Sequence, residues 1–331
     1  MVGNIGLKNI HLPFLMGFHM LLDFLRMVRE VSKLFPKNLK LMSSVTLLII
    51  FLDSILMVFF KICIKVLSTE AKSLQVNNTT TSAELTNLLL TMTDNLRLCV
   101  GLGFIFFCAF AFTSLFFVTA SIIGSAVTYC RKDLSTKELL LRAAKSLKRT
   151  VVSWLYIKLL DLGYCLLVAL LLLLLVLIFN ITFTILAFSL ILLVVALFFR
   201  TYLDVVWSLA LVVSVLEDIC GIEALGKAAR LVKGSKLRGF FLNLFVAFSM
   251  SMFNGLVTIG TVAFPENARM VPSIFSYSIT CLITMFLYMS YTVLYYECKK
   301  THGEEVERKP STEYTEVAFT ESTPLLSADA P

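Results

Sequence analysis

Charged residues are scarce in this chain. They make up 15% of its 331 residues, whereas hydrophobic residues make up 58%. A soluble globular domain carries about 25% charged residues. The deficit excludes a protein whose surface mostly faces water, because too few charged side chains remain to cover it. The sequence therefore indicates a protein whose main solvent is lipid.

The residue sets that carry catalysis or bind metal ions are also missing from the sequence. The three histidines, His11, His19 and His302, are scattered and form no HxxxH or HxxE pattern. We find no nucleophile–base set and no pair of carboxylates at a catalytic spacing. We therefore expect no metal site, no cofactor and no enzymatic activity.

The N-terminal segment, residues 1–40, lacks the small-residue cleavage site of a signal peptide, so we expect no cleaved leader. Its apolar residues follow helical spacing and predict an amphipathic helix. They are Phe14, Phe18, Leu21, Leu22, Leu25 and Val28. Such a helix lies either in the membrane surface or against the membrane bundle, and both alternatives stay open.

Long apolar runs account for the missing charge. A span needs roughly 20 apolar residues to cross about 30 Å of hydrocarbon. Six segments qualify, and none shows the alternation of barrel strands. They are residues 41–60, 98–124, 151–178, 181–199, 239–264 and 270–296. The prediction is an all-α fold, a polytopic helical membrane bundle of six spans over residues 41–296. We expect the polar tail, residues 297–331, to be disordered.

Basic residues fall mainly on one side of these spans. That side carries 22 Lys and Arg, and the other side carries 5. Cytoplasmic loops carry the excess, so both termini are predicted to be cytosolic. Candidate glycosylation sites at Asn77 and Asn78 lie on the other side, which agrees with this orientation. The net charge of +7 does not indicate nucleic acid, because the cations occupy short loops. Membrane lipids are the expected partner.

Two basic segments resemble each other at an offset of 85 residues. Residues 135–149 align with residues 220–234, with Glu138 over Glu223 and Ala143 over Ala228. Each segment predicts a short basic helix before a pair of spans, suited to the lipid headgroup layer. The repeat hypothesis competes with chance similarity between two basic amphipathic helices.

The second copy lies in a distinctive segment, LALVVSVLEDICGIEALGKAARLVKGSKLRGFF, at residues 209–241. It resembles a plant family of uncharacterised six-span membrane proteins, distantly similar to bacterial multi-pass domains such as that attached to some glycerophosphodiester phosphodiesterases. The matching residues are Val212, Val213, Val215, Glu217, Gly221, Ala224, Leu225, Arg230, Lys233 and Gly234. The resemblance implies a fold and a membrane compartment. It implies no activity, because no phosphodiesterase motif is present.

Five charged residues within the spans are candidate functional residues, since intramembrane charge is costly. Lys158 and Asp161 are three residues apart, and Arg200 and Asp204 are four apart, so each pair shares a helix face. These pairs either line a polar path or neutralise each other to stabilise packing, and the second alternative is favoured. Asp53 has no local partner and is the stronger functional candidate.

The tail contains a candidate sorting signal. Glu321 lies four residues before the Leu325-Leu326 pair, a pattern that resembles the acidic dileucine signals bound by clathrin adaptors. A cytosolic tail is required for this role. We expect a location in the endomembrane system, with the vacuolar membrane as one candidate and the endoplasmic reticulum or plasma membrane as alternatives.

Two functions remain in contention. The first is a non-enzymatic scaffold or adaptor that contacts lipid or partner proteins through the basic helices and the tail. The second is a transporter or channel for a small solute or ion, which the repeat and the intramembrane charges favour. The scaffold is preferred, because transporter sites favour helices interrupted by Gly or Pro near mid-span and this chain offers few. The sequence does not indicate an oligomeric state.

Overall fold

The computed structural model is helical over nearly all of the chain that it describes. Those residues form seven α-helices and a single 3-10 turn, with no strand among them. This confirms the all-α prediction. The described residues are 6–76, 82–131, 134–178, 183–263 and 270–303. The helices are α1 (Gly6–Val76), α2 (Ser82–Tyr129), α3 (Thr136–Ile178), α4 (Phe183–Leu216), α5 (Gly221–Leu231), α6 (Lys236–Ala263) and α7 (Met270–Thr301), with the 3-10 turn at Val232–Gly234.

Six of the seven helices are long and apolar enough to cross a membrane, and α5 is the exception. The chain is therefore a multi-pass integral membrane protein, and the prediction of six spans is confirmed. Helix α5 has 11 residues and is too short to cross the hydrocarbon layer. It connects α4 to α6 and lies against α3, α4 and α7.

Helix α1 is continuous across the predicted boundary at residue 40. Residues 6–40 of the N-terminal segment and the first span therefore form one helix. Phe24, Met27 and Val31 are buried. The ring of Phe24 lies 6.2 Å from that of Phe241 on α6. This stretch of α1 thus packs against the bundle rather than standing apart from it.

The helices pack closely at one end and separate toward the other. Residues 205–215 of α4 are buried apart from the partly exposed Ser208, and residues 289–295 of α7 are all buried. Residues 162–177 of α3 and 187–199 of α4, by contrast, expose most of their leucines and phenylalanines. We call the closely packed end the basic end, because α5 and the adjoining termini of α3, α6 and α7 carry its lysines and arginines. Lipid covers these exposed leucines and phenylalanines in the membrane.

Two glycines permit close contacts near the basic end. A Cβ atom on Gly239 of α6 would lie 2.4 Å from Cγ1 of Val205 on α4, so only glycine fits this crossing. Gly221 opens α5 with a φ of +65°, a left-handed conformation that glycine adopts without strain. Its N–H donates to the Ser153 hydroxyl on α3 at 3.0 Å. The turn between α4 and α5 is thereby attached to α3.

The two basic segments bury equivalent positions but end differently. Leu139 and Ala143 on α3 are fully buried, and so are Ala224 and Ala228, which lie 85 residues later on α5. The first segment continues without a break into the third span, whereas the second ends in the 3-10 turn before α6. The Ser135 N–H donates to the Glu138 carboxylate at 3.3 Å, as expected of a capping box. No such bond caps α5.

Candidate functional site

Asp53 lies buried where α1, α2 and α7 meet. Its side chain is 2% exposed, although it occupies the middle of an apolar span. Thr113 of α2 approaches Oδ1 at 2.8 Å, and the Tyr277 hydroxyl of α7 donates to Oδ2. Both carboxyl oxygens therefore have hydroxyl partners from other helices. The missing local partner noted in the sequence is supplied by tertiary contacts.

Lys158, Asp161, Arg200 and Asp204 form one group, which we call the boundary cluster. Arg200 on α4 makes a two-point contact with Asp161 on α3, with Nη1–Oδ1 at 2.9 Å and Nη2–Oδ2 at 3.2 Å. Lys158 lies 3.9 Å from Asp161, and Asp204 lies 3.9 Å from Arg200. The two predicted pairs are thus joined across the hairpin. Their two positive and two negative charges balance.

The boundary cluster lies near the basic edge of the hydrocarbon layer. From Asp161 to the end of α3 at Ile178, the helix rises about 25 Å. The intervening residues 162–177 carry no charge. That length nearly matches the hydrocarbon thickness of about 30 Å. Lys158, whose side chain is 53% exposed, is one turn nearer the headgroups and is placed to extend its amine into them.

The geometry of the boundary cluster favours packing over ion binding. The two-point Arg–carboxylate contact is the strongest kind of charged hydrogen bond, and it directly joins α3 to α4. The Tyr164 hydroxyl adds a second link by donating to the Ala196 carbonyl at 2.6 Å. Every charge in the cluster has a partner of opposite sign. The arrangement therefore presents no uncompensated charge to a solute.

Glu217 joins three helices at the basic end. Its carboxylate lies 2.5 Å from Lys227 Nζ on α5 and 3.4 Å from Lys299 Nζ on α7, and it accepts a hydrogen bond from the Tyr295 hydroxyl. Burial raises the pKa of Glu217, but the hydrogen bonds from Lys227 and Tyr295 and the charges of both lysines outweigh it. The pKa of Glu217 therefore lies below its ordinary value. We call these four residues the Glu217 network.

The adjacent Asp218 carries a parallel link. It pairs with Arg149 of α3 and adopts a φ of 60°. The acidic dipeptide that follows α4 thus attaches the α4–α5 turn to α3 on one side and to α7 on the other. Helix α5 is held in place by charge at its start and by its buried alanines along its length.

A family model described as a domain of unknown function, DUF8558, matches residues 16–330. The chain belongs to the DUF8558 family. Among the curated proteins and the solved structures, none matches it. Membership in DUF8558 assigns no activity. The predicted resemblance to a plant family and to bacterial multi-pass domains stays a prediction.

The two residues of this DUF8558 chain that contact Asp53 gave no signal in the sequence. Thr113 and Tyr277 are ordinary polar residues of apolar spans, 60 and 224 positions from Asp53. Tyr291 donates to the Asn243 amide oxygen at 2.6 Å, and the same amide donates to the Thr201 carbonyl at 3.3 Å. Such interhelical bonds are typical of membrane bundles, and their partners are set by packing.

The remaining predicted sites lie outside the described residues. They are the glycosylation candidates Asn77 and Asn78 and the sorting-signal residues Glu321, Leu325 and Leu326. The DUF8558 match extends over both segments. Within the described ranges, no group of three or more His, Cys, Asp or Glu side chains is placed to hold a metal ion.

Proposed function

We propose that the protein is a non-enzymatic membrane scaffold whose basic end binds anionic lipid headgroups from the cytosolic side. The observation that carries this proposal is a set of exposed cations beside exposed apolar residues at that end. The cations are Lys137, Arg142, Lys148, Arg230 and Lys233. No carboxylate in the described part of the chain pairs with them.

Exposed apolar side chains lie among these cations. Leu141 of α3 is 73% exposed and Ile222 of α5 is 68% exposed, and both precede the apolar spans of their segments. A basic helix with protruding apolar residues binds in the headgroup layer, because apolar burial and attraction to anionic lipid act together. Each cation near an anionic surface contributes about 1 kcal/mol.

The Glu217 network supports this role by holding α5 in one position. Lys227 is used internally, against Glu217, whereas Arg230 and Lys233 point outward from the same segment. A fixed α5 keeps those two cations and the cations of α3 on one surface. Preorganisation of this kind favours binding, since less side-chain and loop ordering is required.

The proposal extends to the tail and to the compartment. Glu321, Leu325 and Leu326 are proposed to bind clathrin adaptors, which would route the protein within the endomembrane system, with the vacuolar membrane as the candidate destination. A cytosolic tail is what the distribution of basic residues predicts. Lipid at the basic end and adaptors at the tail are the proposed partners.

Lipid retention tests the proposal. The purified protein is placed in nanodiscs of phosphatidylcholine with a minor fraction of phosphatidylserine, and the lipids retained after detergent extraction are counted by native mass spectrometry. The wild type is expected to enrich phosphatidylserine. Alanine at Arg142, Lys148, Arg230 and Lys233 is expected to abolish the enrichment, with a loss of about fivefold per cation.

The matched control replaces lysines at the other end of the bundle, Lys61→Ala with Lys65→Ala, and should leave the enrichment unchanged. High salt should weaken the enrichment in the wild type, because exposed charges are screened. Equal retention of phosphatidylserine by the wild type and the basic-end variant would contradict the proposal.

Transport of a small solute or ion is the second candidate function. It is favoured by a single observation, the burial of Asp53 between three helices at membrane depth. Intramembrane carboxylates of this kind are found on substrate paths and proton relays. The boundary cluster does not support transport, because its charges are mutually compensated.

A further inference from the structure

Three asparagines lie in the membrane-spanning stretches that the structure describes, and one of them has an exposed side chain. Asn38 is fully buried, and Asn243 is hydrogen-bonded through both the nitrogen and the oxygen of its amide. Asn254 of α6 is exposed. Its amide oxygen accepts a hydrogen bond from the Ser276 hydroxyl of α7 at 3.4 Å. Asn254 is therefore the asparagine whose surroundings the bundle does not complete.

The amide of Asn254 has unused hydrogen-bonding capacity. Its nitrogen carries two N–H donors, and neither is bonded within the described part of the chain. Its oxygen has a second lone pair besides the one that accepts from Ser276. Lipid chains offer no hydrogen-bond partner, so leaving these groups in contact with lipid is costly. The side chain therefore indicates a polar partner outside this chain.

Asn254 lies at hydrocarbon depth. The nearest charged residue before it on α6 is Arg238, at the basic end, and the helix rises about 24 Å between the two. The hydrocarbon layer is about 30 Å thick. No charged residue follows Arg238 on α6 as far as the end of the helix at Ala263. Headgroups at the basic end are therefore out of reach of the Asn254 amide.

The face of α6 around Asn254 suits a second helix. Exposed residues recur there at alternating intervals of four and three positions, and we call them the α6 seam. They are Leu244, Phe248, Ser251, Gly255 and Thr258. This spacing forms one continuous stripe along a helix that packs at a shallow angle against another. The members nearest Asn254 are small, and a Cβ atom on Gly255 would have no neighbour within 4 Å, so a second backbone can approach closely.

We propose that two copies of this chain dimerise through the α6 seam, with Asn254 hydrogen-bonded to Asn254 of the second copy. A two-fold axis along the membrane normal brings the same residue of both copies together. An amide fits such a position because it carries both a donor and an acceptor. Each nitrogen donates to the opposite oxygen, which keeps its bond from Ser276. The second copy thus supplies what lipid cannot.

Single-molecule photobleaching in liposomes tests the proposal. The full chain, carrying one fluorophore at its N-terminus, is reconstituted at graded ratios of protein to lipid. The wild type is expected to bleach in two steps once its density in the membrane is sufficient. Asn254→Leu should raise the density at half-dimerisation about tenfold, because two interhelical hydrogen bonds are lost. Asn254→Gln keeps the amide and should restore most of the dimer.

A matched control separates the contact between copies from the contact within the chain. Ser276→Ala removes the bond inside the chain and keeps the Asn254 amide, so dimerisation should persist. Disulfide crosslinking in oxidised membranes then locates the interface. Gly255→Cys should produce a linked dimer. Gly101→Cys, equally open on α2, should add no linked dimer beyond that of the wild type.

Three results would overturn the inference. Single-step bleaching of the wild type at every density would mean that Asn254 faces lipid or a different protein. Unchanged dimerisation of Asn254→Leu would mean that the amide is not at the interface. Linkage through Gly101→Cys without linkage through Gly255→Cys would place the contact on α2. The inference is independent of lipid binding, so the basic-end variant should dimerise like the wild type.

Discussion

Among the glycines that the structure describes, Gly239 at the crossing of α4 and α6 would bring a Cβ atom closest to a neighbour. A Cβ atom there would lie 2.4 Å from Val205 Cγ1, whereas a Cβ on Gly255 of the same helix has no neighbour within 4 Å. Both substitutions to alanine gain about 1 kcal/mol of helix propensity. Only Gly239→Ala adds overpacking, at about 1–3 kcal/mol. The difference between the two variants therefore isolates the clash.

The assay is the free energy of unfolding of each variant in detergent, checked by the folded fraction that survives heating on size-exclusion chromatography. Gly239→Ala should be less stable than Gly255→Ala by about 1–3 kcal/mol. Val205→Ala combined with Gly239→Ala should recover most of this difference, because the two side chains share one space. Equal stability of the two glycine variants would refute the close crossing.

Three further predictions follow from the basic end and the tail. Glu217→Gln should cost about 2 kcal/mol of stability near neutral pH, since it loses its charged bonds to Lys227 and Lys299. Because folding lowers the pKa of Glu217, its contribution to the free energy of unfolding is complete above its ordinary pKa of 4.5 and is lost as the pH falls through the folded pKa. The thermal stabilities of the wild type and of Glu217→Gln should therefore become equal in acid. Asp161→Asn should destabilise the α3–α4 hairpin by about 1–3 kcal/mol in the same assay, because it loses the two-point contact with Arg200. Asp204→Asn should cost less, because Asp204 lies farther from Arg200. Equal losses of stability in the two variants would contradict the two-point contact. Leu325→Ala with Leu326→Ala should divert a tagged protein from its compartment under the microscope, and an unchanged location would remove the sorting role.

The sequence predicts the spans because apolar length alone decides which segments cross a membrane. It also predicts the pairing of Lys158 with Asp161, since helical spacing places both on one face. It does not predict that Asp161 and Arg200 meet, because spacing carries no information across a hairpin. Nor does it supply the partners of Asp53, which come from helices far along the chain.

The basic end also has features that the sequence predicts and features that it does not. The sequence places an amphipathic helix over residues 220–234, and α5 occupies that segment. It also predicts an equivalent short helix before the third span, but there the helix continues into the span without a break. The difference arises at the turn sequence Val232–Gly234, which ends α5 and has no glycine in its counterpart. The two basic segments therefore bury equivalent positions, although only the second ends before its span.

Lipid binding from the cytosolic side requires the basic end to face the cytosol, and cysteine labelling tests this orientation directly. Cys220 is exposed at the basic end and Cys99 is exposed toward the other. Two variants, each keeping one of these cysteines and no other, are treated with a membrane-impermeant maleimide in sealed vesicles whose cytosolic face is outward. With the basic end in the cytosol, Cys220 should be labelled at once and Cys99 only after permeabilisation. Immediate labelling of Cys99, with Cys220 protected, would contradict it.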